Sequence, residues 1–490
     1  MRKIIILINP TLHHSVFSRL SSGLHLENRP KHTMYADGSL TRVRSNHDTL
    51  TEIIPLCKKI GVTRLSDITY MDKLYIPNYS AILPGTEDSI WVYSGKGPTK
   101  TSAQVSALME AIERYSSLSN NYPMSFVQGS YLQLSKSYKK VLHPDEVVEP
   151  VNQAYNDRDF IMDFLPGFDL LTNEKVLVPA QLALSKYSAK SPAMNAFAYS
   201  HTNGLASGNV LEEAICHALC EVIERDASSI ADLCASSIPY SILEKIRDSV
   251  ESGNSVHTLT QIVAEDNFVD DSNIFPDVDI SEIAEEFEPI KFLVKRFNDA
   301  NIPLLIKDIT QKDIGIPSFV ASSIEWISHN YGYFAKGYGT HPDARIALIR
   351  AITEVSQTRA GNIQGARDDL KKIQYGENDE IYKRKWQFMP ASSSSLTGKD
   401  NGKLISFSKI KMHLNKGILG DIKLILNSLK KAGLKRAIIV DLTNSNVGIP
   451  VVRAIVPGLE TFEVAKSFMG SKSFMGIRAK KHFMRIYYHK

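Results

Sequence analysis

Residues 210–228 hold no glycine or proline, and their apolar side chains recur at helical spacing. At about 100° per residue, Ile215, Ala218, Leu219, Val222 and Ile223 line one side as a stripe fit for burial. Asn209, Glu213, Glu221 and Glu224 fall on the other side within an arc of roughly 120°, with Arg225 at its margin. The pattern predicts a helix over 210–228 with Asn209 as its N-cap. A single charged helix face is ordinarily a solvated one. Here the face recurs. Residues 106–116 and 217–227 share Ala-Leu-x-Glu-x-Ile-Glu-Arg, and Ser106, Glu110 and Glu113 lie at i, i+4 and i+7. A third segment, 347–359, sets Arg350, Glu354 and Gln357 at the same spacing. Three helices, apolar behind and carrying Glu with Arg in front, predict a shared polar centre. So many carboxylates need a counter-charge. Mg²⁺ supplies one, and it commonly brings a nucleotide phosphate with it.

Elsewhere the pattern mixes strands with helices, and the whole reads as α/β (α+β). Residues 4–8 read as a strand, 48–62 as a helix, 75–94 as strands and 177–187 as strand then loop. Further strands are expected at 291–296, 303–309, 318–325 and 332–338, and helix 420–432 with strand 437–443 closes the pattern. Residues 265–288 carry ten acids, and 251–290 hold no Lys or Arg, which reads as a surface insertion. The polar stretch 360–404 reads as a mobile loop. Residues 1–33 stand apart as an extension, 34–460 as the main domain and 461–490 as a tail. Within that tail 464–490 has seven Lys or Arg and no acid, and Lys-Ser-Phe-Met-Gly occurs twice.

Composition narrows the classes. A net charge of +4 over 490 residues is too mild to suggest nucleic acid, and 43% hydrophobic with 22% charged residues is ordinary for a globular chain. The apolar run at 4–8 stops at Asn9-Pro10, too short for a signal-peptide core or a membrane span. Cys57, Cys216, Cys220 and Cys234 lack paired metal-ligand spacing; Cys216 and Cys220, one turn apart, read as buried packing rather than zinc ligands. A reduced, cytoplasmic protein is expected.

These motifs resemble the YcaO family, ATP-dependent enzymes that activate peptide backbone amides. The resemblance is carried by Gly-Lys-Gly at 95–97, Ser-x3-Glu-x2-Glu at 106–113 and Asn-x3-Glu-x7-Glu-x2-Glu-Arg at 209–225. Gly-x-His-Pro-Asp at 339–343 and Gly-Ile-Pro-Val-Val-Arg-Ala at 448–454 extend it, so that it runs from about residue 35 to about 460. It implies mixed and antiparallel sheets with helices converging on a central Mg-ATP site. It also implies that Ser106, Asn209, Glu213, Arg225 and Arg350 contact ATP, and that Glu110, Glu113, Glu221, Glu224 and Glu354 bind Mg²⁺. Arg42 and Thr49 match the family's N-terminal basic residue and hydroxyl, with Arg44 as a substitute for Arg42. His341 is either a local capping group or a catalytic residue near substrate beside Arg350. His217 reads as packing, and Asp441 and Arg453 as edge residues of some interest.

An amide resists attack because its nitrogen lone pair is delocalised. As the resemblance implies, a nucleophile adds to the carbonyl and the oxygen leaves as phosphate, at a protein that positions and neutralises charge. A neighbouring Cys, Ser or Thr gives an azoline, sulfide gives a thioamide, and an amine gives an amidine. Azoline-forming members commonly end in a proline-rich segment, whereas the last proline here is Pro457. The front part, from Thr41 to Lys100, looks more like thioamide-forming members. In methanogens these act on a glycine of methyl-coenzyme M reductase, usually with a TfuA partner. Thioamidation therefore ranks first, with a sulfide source, a TfuA-like partner and a homodimer as the implied company. Azoline formation ranks second and amidine third. A silent scaffold would lack site carboxylates, and none is lost.

Overall fold

The computed structural model describes residues 24–34, 40–85, 91–121, 126–143, 146–147, 160–185, 187, 201–234, 236–237, 269–270, 275–326, 332–365, 404–461 and 478. A hairpin, β1 (His32–Met34) and β2 (Leu40–Arg42), leads into α1 (Asn46–Ile60). Ser45 caps α1 by accepting from the Asp48 N–H, and Gly61 ends it in the left-handed region. Strands β3 (Arg64–Asp67), β4 (Asn78–Ile82) and β5 (Val92–Lys96) form an antiparallel sheet, and α2 (Lys100–Ser117) follows. Next come β6 (Val127–Ser130), β7 (Ile161–Asp169), β8 (Glu174–Pro179), β9 (Leu205–Ser207) and the long α3 (Leu211–Cys234). The second half runs β10 (Asp277–Asp279), α4 (Ser281–Glu286), α5 (Glu288–Asp299), β11 (Leu305–Asp308), β12 (Ser318–Trp326), β13 (Gly332–Thr340) and α6 (Ala344–Gln364). It closes with β14 (Leu404–Ser406), α7 (Ile418–Lys431), β15 (Ile438–Asp441) and β16 (Val451–Ile455).

Two larger sheets result. One is ordered β6-β7-β15-β16-β9 with β8 also on β7, and the other β13-β12-β11-β10-β14, where only β10 and β14 run parallel. The fold is mixed α/β. Each of the three Glu-bearing helices buries its apolar side in its own cluster, as the stripes predict. Ala107 and Ile112 of α2 pack with Ile53, Tyr93 and Phe164; Ile215, Leu219 and Ile223 of α3 pack with Ile422 and Ile425 of α7; Leu348 and Ile352 of α6 pack with Leu293 and Phe297 of α5. Each such large side chain contributes roughly 1.5–3 kcal/mol by leaving water. The polar faces are left to meet one another.

Strand glycines let two of these helices lie directly on backbone. A Cβ at Gly95 of β5 would sit 2.1 Å from the Ala107 nitrogen of α2, and one at Gly339 of β13 would sit 1.9 Å from the Ala347 oxygen of α6. No side chain fits either gap, so helix and strand touch with nothing between them.

Several expectations are corrected. Residues 291–296 are not a strand but lie within α5, where Ile290, Leu293 and Phe297 are buried at helical spacing behind Pro289. The central helix reaches Cys234, and its first bond runs from the Ala214 N–H to the Val210 carbonyl, so Asn209 precedes the cap. After the 174–179 strand the chain makes a helical turn, Ala180–Ala183, rather than a plain loop. The described end of the acidic stretch is built into a sheet: Asp277 of β10 pairs with buried Lys307 at 2.5 Å. Of the first 33 residues, the described 24–33 are likewise tied in, through Lys31 to Asp421 and the Glu27 N–H to Glu212 at 2.6 Å. The expected strand at 4–8 and most of the 360–404 loop lie outside the described residues; α6 reaches Gln364 and β14 begins at Leu404. Among the described residues no helix is long and apolar enough to cross a membrane.

Replacing Gly339 with Ala is expected to destabilise the protein by roughly 2–3 kcal/mol through overpacking. Gly361→Ala in α6, where a Cβ would meet nothing within 4 Å, should stabilise by about 0.5–1 kcal/mol. Thermal unfolding of both variants checks this; equal melting temperatures would remove the close-approach argument.

Candidate active site

The three polar faces enclose a cavity of about 360 Å³. Ser106, Glu110 and Glu113 reach it from α2, Glu213, His217, Glu221, Glu224 and Arg225 from α3, and Arg350, Glu354 and Gln357 from α6. Arg42, Thr49 and Asn209 complete the wall from the N-terminal hairpin, α1 and the turn before α3. Every residue assigned above to ATP or Mg²⁺ therefore lines one space. His341 does not, nor does Arg44, the substitute for Arg42, which pairs with Glu52 at the surface.

The carboxylates there are held against their preference. Burial pushes the Glu113 carboxyl well up, opposed by Arg114 and reinforced by Glu221 and Glu110. Burial also raises Glu221, despite Arg225, and lifts Glu224 to about 7 with Glu354 as the main neighbouring charge. The protein answers in part: Lys96 pairs with Glu354, and Arg114 with Glu110 at 3.3 Å. The remaining demand is for hard positive charge. An all-carboxylate donor set from three helices, with arginines beside it, fits Mg²⁺ that keeps waters and engages phosphate oxygens.

Glu213 has a different office. Its carboxylate accepts from the Val43 N–H at 2.7 Å, the Asn209 N–H at 2.9 Å and the Asn209 side-chain amide at 3.0 Å, with Arg42 at 3.6 Å. The Thr49 hydroxyl donates to Asn209 Oδ1 at 2.8 Å. These five residues form one network that bolts the N-terminal wall to the central helix, and Glu213 is spent within it.

His341 sits behind the cavity, beside a water-sized void of about 10 Å³ that it shares with Cys216 and Asp421. Its Nδ1 accepts from the Asp343 N–H at 3.0 Å, and Asp343 in turn caps α6 by accepting from the Arg345 N–H. This is the capping arrangement. A neutral imidazole whose Nδ1 accepts carries its proton on Nε2, so His341 cannot join Cys216 and Asp421 as a metal ligand without losing that bond. Burial lowers its pKa, as do Arg350 and Lys31. His217, expected to be packing, lines the cavity and is held neutral by burial and by Arg350, Arg42 and Lys96.

Two cations gain weight over the sequence reading. Lys96 stood in the Gly-Lys-Gly motif without a role, and its partner Glu354 lies 258 residues away. Arg453 is 1% exposed, donates to the Leu182 carbonyl at 3.2 Å and the His201 carbonyl at 2.8 Å, and leaves Nη1 unpartnered. Burial lowers its pKa to about 10, opposed by Glu221. The edge-residue reading fails for it, since its strand is flanked on both sides by β15 and β9.

A polar cavity where three helices converge Glu and Arg is suited to gathering divalent cations and a polyanion. The sequence profile of the YcaO cyclodehydratases, described as ATP- and Mg²⁺-binding, matches residues 94–265 and 270–460. The chain belongs to the YcaO family, and ATP and Mg²⁺ are its cofactors. A protein of Methanothermobacter thermautotrophicus is 32% identical over 419 residues, 84% of this chain and 93% of its own. One of Rhizobium leguminosarum bv. trifolii, from the tfuA 3′ region, is 27% identical over 417 residues, 84% of this chain and 87% of its own. YcaO from Methanopyrus kandleri, bound with AMPPCP and Mg²⁺, superposes with a TM-score of 0.61 at 21% identity, covering 89% of this chain and 95% of that one. A heterocyclase in complex with substrate and cofactor gives 0.68 at 21% identity over 91% of this chain, which spans 55% of that longer protein. Both likenesses are of fold.

Glu224 predicts a pH dependence. A carboxyl whose native pKa is raised to about 7 from 4.5 keeps a proton that the unfolded chain gives up, so its stabilisation is present below the usual carboxylate range and lost as pH climbs to about 7. Metal-free protein should lose stability as pH rises from about 4.5 to about 7. Glu224→Gln should remove part of that loss, on the order of 1–3 kcal/mol. Melting curves with a chelator present measure it, and parallel pH profiles for both proteins would contradict it.

Proposed function

We propose that this protein activates a peptide or protein backbone amide at the expense of ATP and installs a thioamide there. The observation that carries the reading is the convergence of five Mg²⁺-suited carboxylates with Arg225, Arg350 and Lys96 around one cavity. Bound Mg²⁺ would neutralise the nucleotide's phosphates and the charge that develops as the γ-phosphoryl group moves. On this reading Glu110, Glu113, Glu221, Glu224 and Glu354 hold the metal, while Ser106, Asn209, Arg42, Thr49, Arg225 and Arg350 face the nucleotide. Glu213 acts through Arg42 and Asn209. Arg350 also donates to the Thr340 carbonyl at 3.2 Å, which fixes it at the head of α6. The balance is simple. Sulfide adds to the carbonyl carbon, the carbonyl oxygen departs with the γ-phosphoryl group, and the products are thioamide, ADP and phosphate.

The sulfur chemistry is favoured by the relative from the tfuA 3′ region, which supports a TfuA-like partner, and by the front segment's likeness to thioamide-forming members. Azoline formation is the second reading, because a heterocyclase shares this fold across 91% of the chain. We place the enzyme in the cytoplasm as a homodimer.

Calorimetry with Mg·ATP should show binding that Glu224→Ala and Arg225→Ala each abolish or weaken at least tenfold while circular dichroism is retained; equal affinities would refute the site. For the product, co-expression with neighbouring genes followed by mass spectrometry decides. Exchange of oxygen for sulfur adds about 16 Da, whereas ring closure with loss of water removes about 18 Da. A water-loss product formed without sulfide would sink the thioamide reading.

A further inference from the structure

One face of α1 is buried, and its chemistry changes along the helix. The residues on it are Asn46, Thr49, Ile53 and Cys57, at spacings that keep them on one side. Ile53 and Cys57 join the apolar cluster with Tyr79 and Leu83. Thr49 and Asn46, one and two turns nearer the N-terminus, line the cavity instead. Thr49 is engaged there with Asn209 at 2.8 Å. Asn46 is 8% exposed, and its Nδ2 has no hydrogen-bond partner among the described residues. It is not required as a cap, since Ser45 fills that place. A buried amide donor left unpaired is costly, and a bound acceptor removes the cost.

The class of that acceptor follows from where Asn46 lies. From Glu213 to Glu224 α3 runs about 16 Å, at about 1.5 Å per residue. The Glu224 end gathers charge, with Glu354 and Glu221 beside it. The Glu213 end is closed by α1 through Thr49 and Asn209. There Glu213 already accepts from Val43 and Asn209, and Arg42 faces it at 3.6 Å. Leu40, two residues from Arg42 on β2, and Ile349 also line the cavity and pack in one cluster. A metal-bound triphosphate belongs at the Glu224 end. The other end offers apolar surface, paired charges and an unpaired donor, which suits a nucleoside.

We propose that Asn46 is a nucleoside-binding residue: its side-chain amide donates to a ring nitrogen of the base or to a ribose hydroxyl, and so fixes the end of the nucleotide remote from the carboxylates. The broad χ2 of asparagine lets Nδ2 aim at either. The proposal rests on the reading of the cavity as the Mg·ATP site.

Dissociation constants are measured by calorimetry for the full-length wild type and Asn46→Ala, with Mg²⁺ and ATP or an analogue lacking one acceptor: 1-deaza-, 3-deaza-, 7-deaza-, 2′-deoxy- or 3′-deoxy-ATP. The wild type should bind one analogue about three- to tenfold more weakly than ATP, the worth of one neutral hydrogen bond. Asn46→Ala should bind ATP more weakly by a similar factor and no longer distinguish it from that analogue, the non-additivity expected of a direct contact. A deaza analogue as the sensitive one assigns the base, a deoxy analogue the ribose. The melting temperature of nucleotide-free Asn46→Ala should not fall, because Nδ2 holds nothing in the protein. Unchanged ATP affinity, or the same analogue penalties in both proteins, would overturn the proposal and leave the cavity reading standing. If Asn46→Ala does not fold, Asn46→Asp, which keeps the shape but loses the donor, is read in the same way. No nucleotide binding by the wild type would overturn the cavity reading and this contact with it.

Discussion

The burial of carboxylates governs this structure. Glu113, Glu221 and Glu224 face one another across a space that burial makes poor in water, and each has its ionised form disfavoured. Left to themselves, helices carrying such faces would rotate them toward solvent. They do not, because each has an apolar stripe buried elsewhere: α2 among the sheets, α3 against α7, α6 against α5. Hydrophobic burial, tens of square ångströms at a time, outweighs the electrostatic penalty and points the charges inward. The cavity is then primed for a cation that the side chains alone do not supply.

The bland parts of the fold serve that end. Glycines in β5 and β13 let helix rest on strand, which brings Glu354 within reach of Lys96 at the end of β5 and of the Tyr338 N–H in β13. Glu213, which looks by spacing like one more site carboxylate, is consumed in docking the hairpin that carries Arg42. The same residue type on the same helix face thus does two jobs. Which job depends on how many N–H groups surround it.

The three helix faces were legible because spacings of i, i+4 and i+7 put residues on one side whatever the tertiary context. Strand-or-helix ambiguity defeated the reading at 291–296, where Phe292 and Val294 mimic a short strand although the pattern Ile290, Leu293, Phe297 belongs to a helix. Asn209 looked like a cap since it has a capping side chain before an apolar run, but its amide is committed to Thr49 and Glu213, a contact no local pattern encodes. For His341 the pattern leaves a cap and a catalytic residue open, and its bond to the Asp343 N–H selects the cap; that it lies behind the cavity depends on Cys216 and Asp421, far away in sequence.

That distance bears on how the molecule comes into being. Thr49 meets Asn209 across 160 residues, and Lys96 meets Glu354 across 258. Closing loops of such length is slow relative to forming helices, and little repays the entropy until both ends have docked. The helices can form early and locally; the chamber between them must be among the last features to mature. A chain caught partway, or still lengthening, would carry acidic faces with no common centre, so the capacity to engage ATP arrives as a single late event rather than by degrees.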